Sequence, residues 1–303
     1  MQPSDSHGGP LLDPSSRTPA SSIVHPQPVA VGGIGGSGTR PVARLLDQLG
    51  YSLGDDRNGA DDNLWFTLLF KRADILTMGE AEFGERVAIF VQAMTRNAPF
   101  TARQRALISR LPGEPAPDLT LDWLAERSAT LLAAHNEARP VCAQWGWKEP
   151  KTHIVIERLI ERMPNLNYVH VVRNGLDMAF ANNQNQLRLW GAHFLAQHPV
   201  EVTPRHALRY WRVVHERILA IGARLGERFL LLRFDDLCRH PEATLETFYR
   251  FLAVTPSARE RAQLRACIDP PPSLGRFKQR SLSDLDPADI DFVRRLGFDT
   301  GPA

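Results

Sequence analysis

Five glycines fall within seven positions in Gly32-Gly33-Ile34-Gly35-Gly36-Ser37-Gly38, and Thr39 and Arg40 follow them. That composition suits an anion. Glycine tolerates positive φ and lets a ligand come close to the backbone. A glycine loop that runs into a helix also turns free N–H groups and the helix dipole toward negative charge. Gly33-x-Gly35-x-x-Gly38 satisfies the dinucleotide fingerprint, with Asp55 or Asp56 about 20 residues on as a ribose partner. The segment from Gly50 to Gly54, however, makes a poor second strand. Gly33 and Gly38 also fit the first half of a nucleoside-triphosphate loop, but Thr39 and Arg40 stand where a lysine and a magnesium-binding hydroxyl belong. Ser37 between glycines approaches a hydrolase nucleophile elbow, with Thr39 in place of the last glycine.

A further reading gives the hydroxyls of Ser37 and Thr39 and the loop amides to the phosphate of 3′-phosphoadenosine 5′-phosphosulfate (PAPS), without magnesium. Two more segments bear on the choice. Trp147-Lys148-Glu149-Pro150 puts a lysine at the carboxyl end of an apolar run, where open α/β sheets bind ligands. Val171-Val172-Arg173-Asn174-Gly175 repeats the arrangement with an arginine, whose planar fork grips a phosphate in a way a lysine cannot. Near the C-terminus, Ser273-Leu274-Gly275-Arg276-Phe277-Lys278 supplies a hydroxyl and two cations on a loop.

The elements that must position these residues follow from periodicity. Val29 to Val31, Val141 to Trp147, Tyr168 to Val172 and Phe229 to Phe234 read as strands. Val42, Leu45, Leu46 and Leu49 mark a helix over 39–49, and helical patterns follow at 62–73, 81–95, 101–111 and 119–136. Pro150 opens a helix with Ile154, Ile156, Leu159 and Met163 on its apolar side, and Ala207 to Leu225 form one long helix face. Continuously apolar strands separated by helices predict an α/β fold, a three-layer sandwich with a central parallel sheet and helices on both faces. Residues 1–27 are rich in Pro, Ser and Gly and are expected to be a disordered leader, with one domain over 28–303.

Composition narrows the classes. The 303 residues carry 36 Lys and Arg against 34 Asp and Glu, a net charge of +2, which argues against nucleic acid held by bulk charge. Cys142, Cys238 and Cys267 lie far apart without metal-ligand spacing and fit a reducing, cytoplasmic setting. No metal is expected, and no apolar stretch reaches the roughly 18 residues a membrane span needs.

Taken together, the segments resemble the PAPS-dependent sulfotransferase family over roughly 28 to 280, with local similarity to its tyrosylprotein and glycosaminoglycan branches and an overall bacterial type. Gly35-Gly36-Ser37-Gly38-Thr39 is similar to the family's 5′-phosphosulfate loop, and Tyr168 to Asp177 to the strand and helix start that carry its 3′-phosphate arginine. Lys148-Glu149-Pro150 resembles a lysine element of the tyrosylprotein branch. Arg233-Phe234-Asp235-Asp236-Leu237 resembles the family's Tyr-Glu-Asp-Leu segment, and Ser273 to Arg276 the late loop that closes on the adenosine end. The chain departs from the pattern at Gly36, where the family usually has Lys or Arg, at Ala181, where it commonly has a 3′-phosphate Ser, and at Phe234 for Tyr. Lys148 or Arg40 would cover the missing cation, and Asn182 or Asn183 the missing hydroxyl.

The resemblance implies a P-loop-like fold and sulfuryl transfer from PAPS to a hydroxyl or amine. Gly35, Gly36, Ser37, Gly38, Thr39 and Arg40 would then hold the 5′ side, Lys148 the bridging oxygen, and Arg173, Arg276 and Ser273 the 3′-phosphate. Candidate bases are Asp56 and Asp62, with Asp55, Asp61 and Glu149 open, and His153, which follows Lys151-Thr152 as in the cytosolic branch. The partner is a small-molecule, carbohydrate or lipid acceptor, and the helical segments between 62 and 136 and residues 182–186 are expected to line its pocket. Two other readings are a Rossmann-type NAD(P)-dependent oxidoreductase and a catalytically inactive PAPS-binding or PAP-binding protein, PAP being the 3′,5′-bisphosphate product.

Overall fold

A computed structural model describes residues 27–134 and 144–301. The expected leader up to residue 26, the proposed strand start at Val141, and Cys142 lie outside the described residues. The chain runs β1 (Val29–Gly33), α1 (Thr39–Gln48), α2 (Leu64–Phe70), α3 (Glu80–Thr95), α4 (Ala102–Arg110), α5 (Leu121–Ala133), β2 (Gly146–Lys148) and α6 (Thr152–Arg162). It continues with β3 (Asn167–Val172), α7 (Gly175–Ala179), α8 (Asn185–Leu195), α9 (Pro204–Leu225), β4 (Phe229–Arg233), α10 (Phe234–Arg239), α11 (Pro241–Leu252), α12 (Ala258–Ala266), a 3-10 turn at Arg276–Gln279, and α13 (Pro287–Arg295).

The sheet has the order β2-β1-β3-β4, with every described pair parallel. Because side chains alternate along a strand, each strand feeds two cores. Val29, Val31, Val169, Val171 and Leu232 pack with Val42, Leu45 and Leu46 of α1, Leu237 of α10 and Phe248 of α11. Ala30, Trp147, Tyr168 and Val172 pack on the opposite face with Phe66, Phe90, Leu159, Trp211 and Ile218. This is the three-layer α/β sandwich that the apolar strands predict. Each fully buried Leu or Phe contributes about 1.5–3 kcal/mol to holding a layer in place.

Two features of this frame set the site. Register aligns the carboxyl ends of three strands, with Val31 opposite both Lys148 and Val169, so the residues that follow β1, β2 and β3 emerge on one edge. Secondly, α2 to α5 form an insertion whose aromatic side chains lock onto β2: Phe90 meets Trp147 edge-on at 5.1 Å and Phe66 stacks on it at 5.7 Å. Asn63 caps α2 by accepting from Phe66 N at 2.8 Å. Two buried arginines tie the insertion together through carbonyls, Arg72 to Leu111 at 3.0 Å and Arg86 to Leu69 at 2.9 Å.

Some boundaries differ from the sequence expectation. β2 is confined to Gly146–Lys148, α6 starts at Thr152 rather than Pro150, and Phe234 opens α10 instead of closing β4. Residues 50–63 form no named strand and make only bridges, Ser52 to Trp145 and Arg57 to Asn63. Among the described residues no helix is long and apolar enough to cross a membrane.

Candidate functional site

A cavity of about 950 Å³ opens at the carboxyl edge of the sheet, and most of the sequence-predicted residues meet there. Its wall includes Gly35, Gly36, Gly38, Thr39, Arg40, Asp62, Lys148 and Arg173. The loop after β1 has the shape an anion needs. Gly36 and Gly38 take φ of 92° and 96°, a region in which a side chain is strained. Gly38 is also the N-cap of α1 and provides no side-chain cap, so the first helical N–H groups stay available. A side chain at Gly38 would lie 2.2 Å from Phe234 Cδ2, which explains why the glycine must be there. The same backbone angle at Gly36 disfavours the lysine or arginine that the resemblance leads one to expect.

Two buried polar atoms in this region lack partners among the described residues: Ser37 Oγ under the loop and Arg173 Nε. Atoms of the same kind also occur away from the cavity, Arg86 Nε and Tyr249 Oη among them, so what sets Arg173 apart is that it also lines the cavity wall. Ser37 itself does not reach the cavity wall; it is 2% exposed, and its N–H donates to Ile34 O at 2.9 Å.

Arg173 follows β3 and is fixed on several sides. Its Nη2 donates to Ser273 O, to Ser273 Oγ at 3.1 Å and to Asp177 Oδ2 at 3.4 Å, and its guanidinium lies 5.6 Å from the Phe234 ring. Arg276 Nε donates to Ser273 O at 3.3 Å; burial and then the Arg173 charge hold its pKa below the ordinary arginine value. Ser273 and Arg276 thus gather at Arg173 but do not line the cavity. The residue that organises this late loop is Asp177, whose carboxylate accepts from Gly275 N at 2.7 Å and Phe277 N at 3.1 Å. Sequence reasoning gave Asp177 no role. Its position one helical turn after Arg173 was the available signal.

Lys148 emerges from β2 almost fully buried, and its ammonium donates to Ala60 O at 2.9 Å and contacts Asp62 Oδ1. Of the aspartates considered as bases, Asp62 is the one on the cavity wall. The others are engaged elsewhere: Asp55 with Arg96, Asp56 with Arg127 and Thr130, and Asp61 with Arg44 and Arg57. Asp56 is therefore not brought to the site, because its carboxylate joins the 50s loop to α5. Glu149 is buried and accepts from Lys151 Nζ at 2.8 Å.

His153 is also displaced from its expected role. It points into the core from α6, is fully buried, and its Nε2 pairs with Gln186 Oε1 at 2.7 Å. Burial pushes its pKa down to about 3, outweighing the bond to Gln186. A base cannot work from there. Gln186 instead links this histidine to the loop, its Nε2 donating to Gly33 O at 3.3 Å. Asn183, Asn185 and Gln186 do line the cavity, and the Asn183 amide stands 3.3 Å from the position a side chain on Gly35 would take. Asn183 thus faces the glycine loop. Lys151, which the sequence offered only as part of the His153 motif, also lines the wall, and Lys71, Asp118 and Arg188 join it from isolated positions that no motif announced.

Residues 28–257 match the sulfotransferase family. Solved structures with similarity include a sulfotransferase from Mycobacterium avium, 17% identical, covering 80% of this chain and 67% of that one with a TM-score of 0.40. The sulfotransferase domain from the curacin biosynthetic pathway is 15% identical, covering 91% of this chain and 99% of the other with a TM-score of 0.48. The sulfotransferase domain from the Synechococcus PCC 7002 olefin synthase is 17% identical, covering 91% and 97% with a TM-score of 0.47. A comparison with curated proteins finds no match.

Proposed function

The chain belongs to the sulfotransferase family, and we propose that it moves a sulfuryl group from PAPS to a hydroxyl or amine of a small-molecule, carbohydrate or lipid acceptor. One observation carries this reading: the glycine loop, Lys148 and Arg173, from three separate stretches of chain, line a single cavity. A bound PAPS would supply the transferable sulfonate, with negative charge growing on its leaving phosphate as in phosphoryl transfer. The unpartnered Ser37 Oγ and Arg173 Nε fit such a doubly charged ligand.

Within that reading the amides and hydroxyls of Gly35 to Thr39, with Arg40 beside them, hold the 5′ side. Arg173 holds the 3′-phosphate, and Ser273, Arg276 and Asp177 fix the arginine and its loop. Lys148 places a positive charge at the leaving oxygen, the kind of preorganised electrostatic support that dominates many group transfers. Asp62, on the cavity wall and in contact with Lys148, would take the acceptor proton. The free thiols of Cys238 and Cys267 fit a cytoplasmic setting.

Ligand-selective stabilisation tests the reading, since whatever binds the folded state raises its melting point. PAP should raise the melting temperature and NAD(P)H should not; the reverse result would remove PAPS as the donor. Arg173→Ala should weaken PAP by about 1.5–3 kcal/mol, the value of a charged hydrogen bond, and unchanged affinity would remove Arg173 from the site. Transfer of radiolabelled sulfate from PAPS into an extract then separates an enzyme from an inactive PAP-binding protein, a reading to which Gly36 and Ala181 lend support.

A further inference from the structure

Beyond the Lys148–Asp62 pair the cavity wall carries cations to which the proposed donor contacts give no role, Lys71, Lys151 and Arg188. Lys71 follows α2 directly, and Lys151 precedes α6. Lys71 has only 9% of its side chain exposed, yet its nearest acid among the described residues, Asp118 Oδ2, is 3.7 Å away and is itself 66% exposed. That distance is too long for a hydrogen bond. Burial, and then the charge of Lys151, holds the Lys71 pKa below the ordinary lysine value. Both lysines line the same cavity. Lys151 is held differently: burial opposes its charge, but Glu149 at 2.8 Å, with Asp62 and Asp118 farther off, keeps its pKa raised. Arg188, also on the wall, is exposed and bonds only an amide oxygen among the described residues, Asn185 Oδ1 at 3.0 Å.

Among the described residues Lys71 is buried against a single long ion pair to an exposed carboxylate, and an anion bridging it to Lys151 would lower the cost of keeping its charge there. The backbone is fixed at both lysines. Arg72, the next residue after Lys71, is anchored to Leu68 and Leu111 carbonyls, and Lys151 N is tied to Glu149 Oε2 at 2.5 Å. Resting on the proposed sulfuryl transfer, we infer that this half of the cavity is an acceptor subsite for an anionic group, a carboxylate, phosphate or sulfate, seated between Lys71 and Lys151. The acceptor would then be an already acidic molecule rather than a neutral alcohol or sterol-like lipid.

The probe is inorganic phosphate, titrated into the protein saturated with PAP. Phosphate should bind, and the double variant Lys71→Gln, Lys151→Gln should weaken it at least tenfold while PAP affinity stays unchanged. Lys71→Arg, which keeps the charge, should restore most of the binding. No phosphate binding, or equal binding in the double variant, overturns the subsite and assigns any bound phosphate to the place left by the donor's sulfonate. A second arm separates an acceptor group from a free anion. A small-molecule extract is split on an anion exchanger before incubation with radiolabelled PAPS. Label in products from the retained fraction supports an acidic acceptor; label only from the flow-through, or none from the retained fraction, overturns it. Failure of PAP to bind at the outset would instead sink the donor reading, so the two failures are told apart.

Discussion

The parts of the cavity proposed for the donor and for the acceptor are built by different means. The donor half is made where strands end: main-chain amides after β1, Lys148 at the end of β2 and Arg173 just past β3, brought level by parallel register. Lys148 and Arg173 are held there by Asp62 and Ser273, while Ser37 Oγ and Arg173 Nε have no partner among the described residues. The proposed acceptor half is made where helices begin and end, with Lys71 after α2 and Lys151 before α6, and its lysines face carboxylates: Lys151 with Glu149 at 2.8 Å and Lys71 with Asp118 at 3.7 Å. A site set by the sheet can change little without disturbing the fold, whereas one set by helix termini can change side chain by side chain. This is the physical reason that loops and insertions carry specificity.

The largest expected effect breaks the donor half alone. Gly38→Ala must place Cβ 2.2 Å from Phe234 Cδ2 at a φ of 96°. The backbone term costs about 1–2 kcal/mol, and the overlap requires the Phe234 ring or the loop to move. Stabilisation by PAP should disappear. Gly59→Ala, in the loop that carries Asp62, has open space around it and no positive φ, and should leave the PAP response within about 0.5 kcal/mol. Adding Phe234→Ala to Gly38→Ala should recover the steric part only. Equal tolerance at Gly38 and Gly59 would mean the loop is not preformed.

The same division explains what could be read from the sequence. Strand-end motifs are local, so Gly35 to Arg40, Lys148 and Arg173 announced themselves through a few adjacent residues each. Asp62 and Asp56 could not be told apart, because both belong to one acidic turn and only tertiary contacts send Asp56 to Arg127. His153 misled for a related reason. Lys151-Thr152-His153 matches a motif, but α6 is rotated so that the imidazole meets Gln186 in the core. Lys71, Asp118, Lys151 and Arg188 are united only by folding, and no spacing links them. Helix α12 escaped notice because its apolar signal is weak, with Leu264 its one buried residue, and α8 because its start fell in the polar 182–186 stretch read as pocket lining. Gly50 to Gly54, by contrast, was rightly read as a poor strand, since an open loop is what the insertion needs there.

Acid should sharpen the comparison by acting on both halves at once. His153, His170 and His215 lie buried together, with successive ring centroids 6.0 Å and 5.1 Å apart along the cluster. Burial lowers all three, His153 to about 3 and His215 to about 4. The unfolded chain, with histidines near 6.5, binds more protons than the folded one below that value, so stability rises with pH there. This contribution is complete above about pH 6.5 and is lost as pH falls toward 4. The expected loss is a few kcal/mol, since each tenfold difference in proton affinity between the folded and unfolded chain is worth about 1.4 kcal/mol. Because Gln186 joins His153 to the Gly33 carbonyl, PAP and phosphate responses should fade over the same pH interval. His153→Gln should flatten the melting-temperature slope between pH 6.5 and 4.5. An unchanged slope would show that other groups drive the acid transition.

Ser37→Ala is the smallest expected effect and the one that most directly tests whether the donor half is held open for a ligand. In the free protein the hydroxyl is buried without a partner, a state that costs about 1–3 kcal/mol when a donor is stranded. Alanine removes that cost while keeping the shape of the loop, so the free protein should melt no lower than the wild type. Only the ligand-bound state loses anything, about 0.5–1.5 kcal/mol for an ordinary hydrogen bond and up to about 3 for one to a charged phosphate. The increase in melting temperature produced by PAP should therefore shrink although the starting value does not fall. A lower starting value with an undiminished PAP response would make Ser37 a structural hydroxyl serving the loop itself. No such separation is available in the acceptor half, where Lys151 already bonds Glu149 and any substitution changes the free protein first.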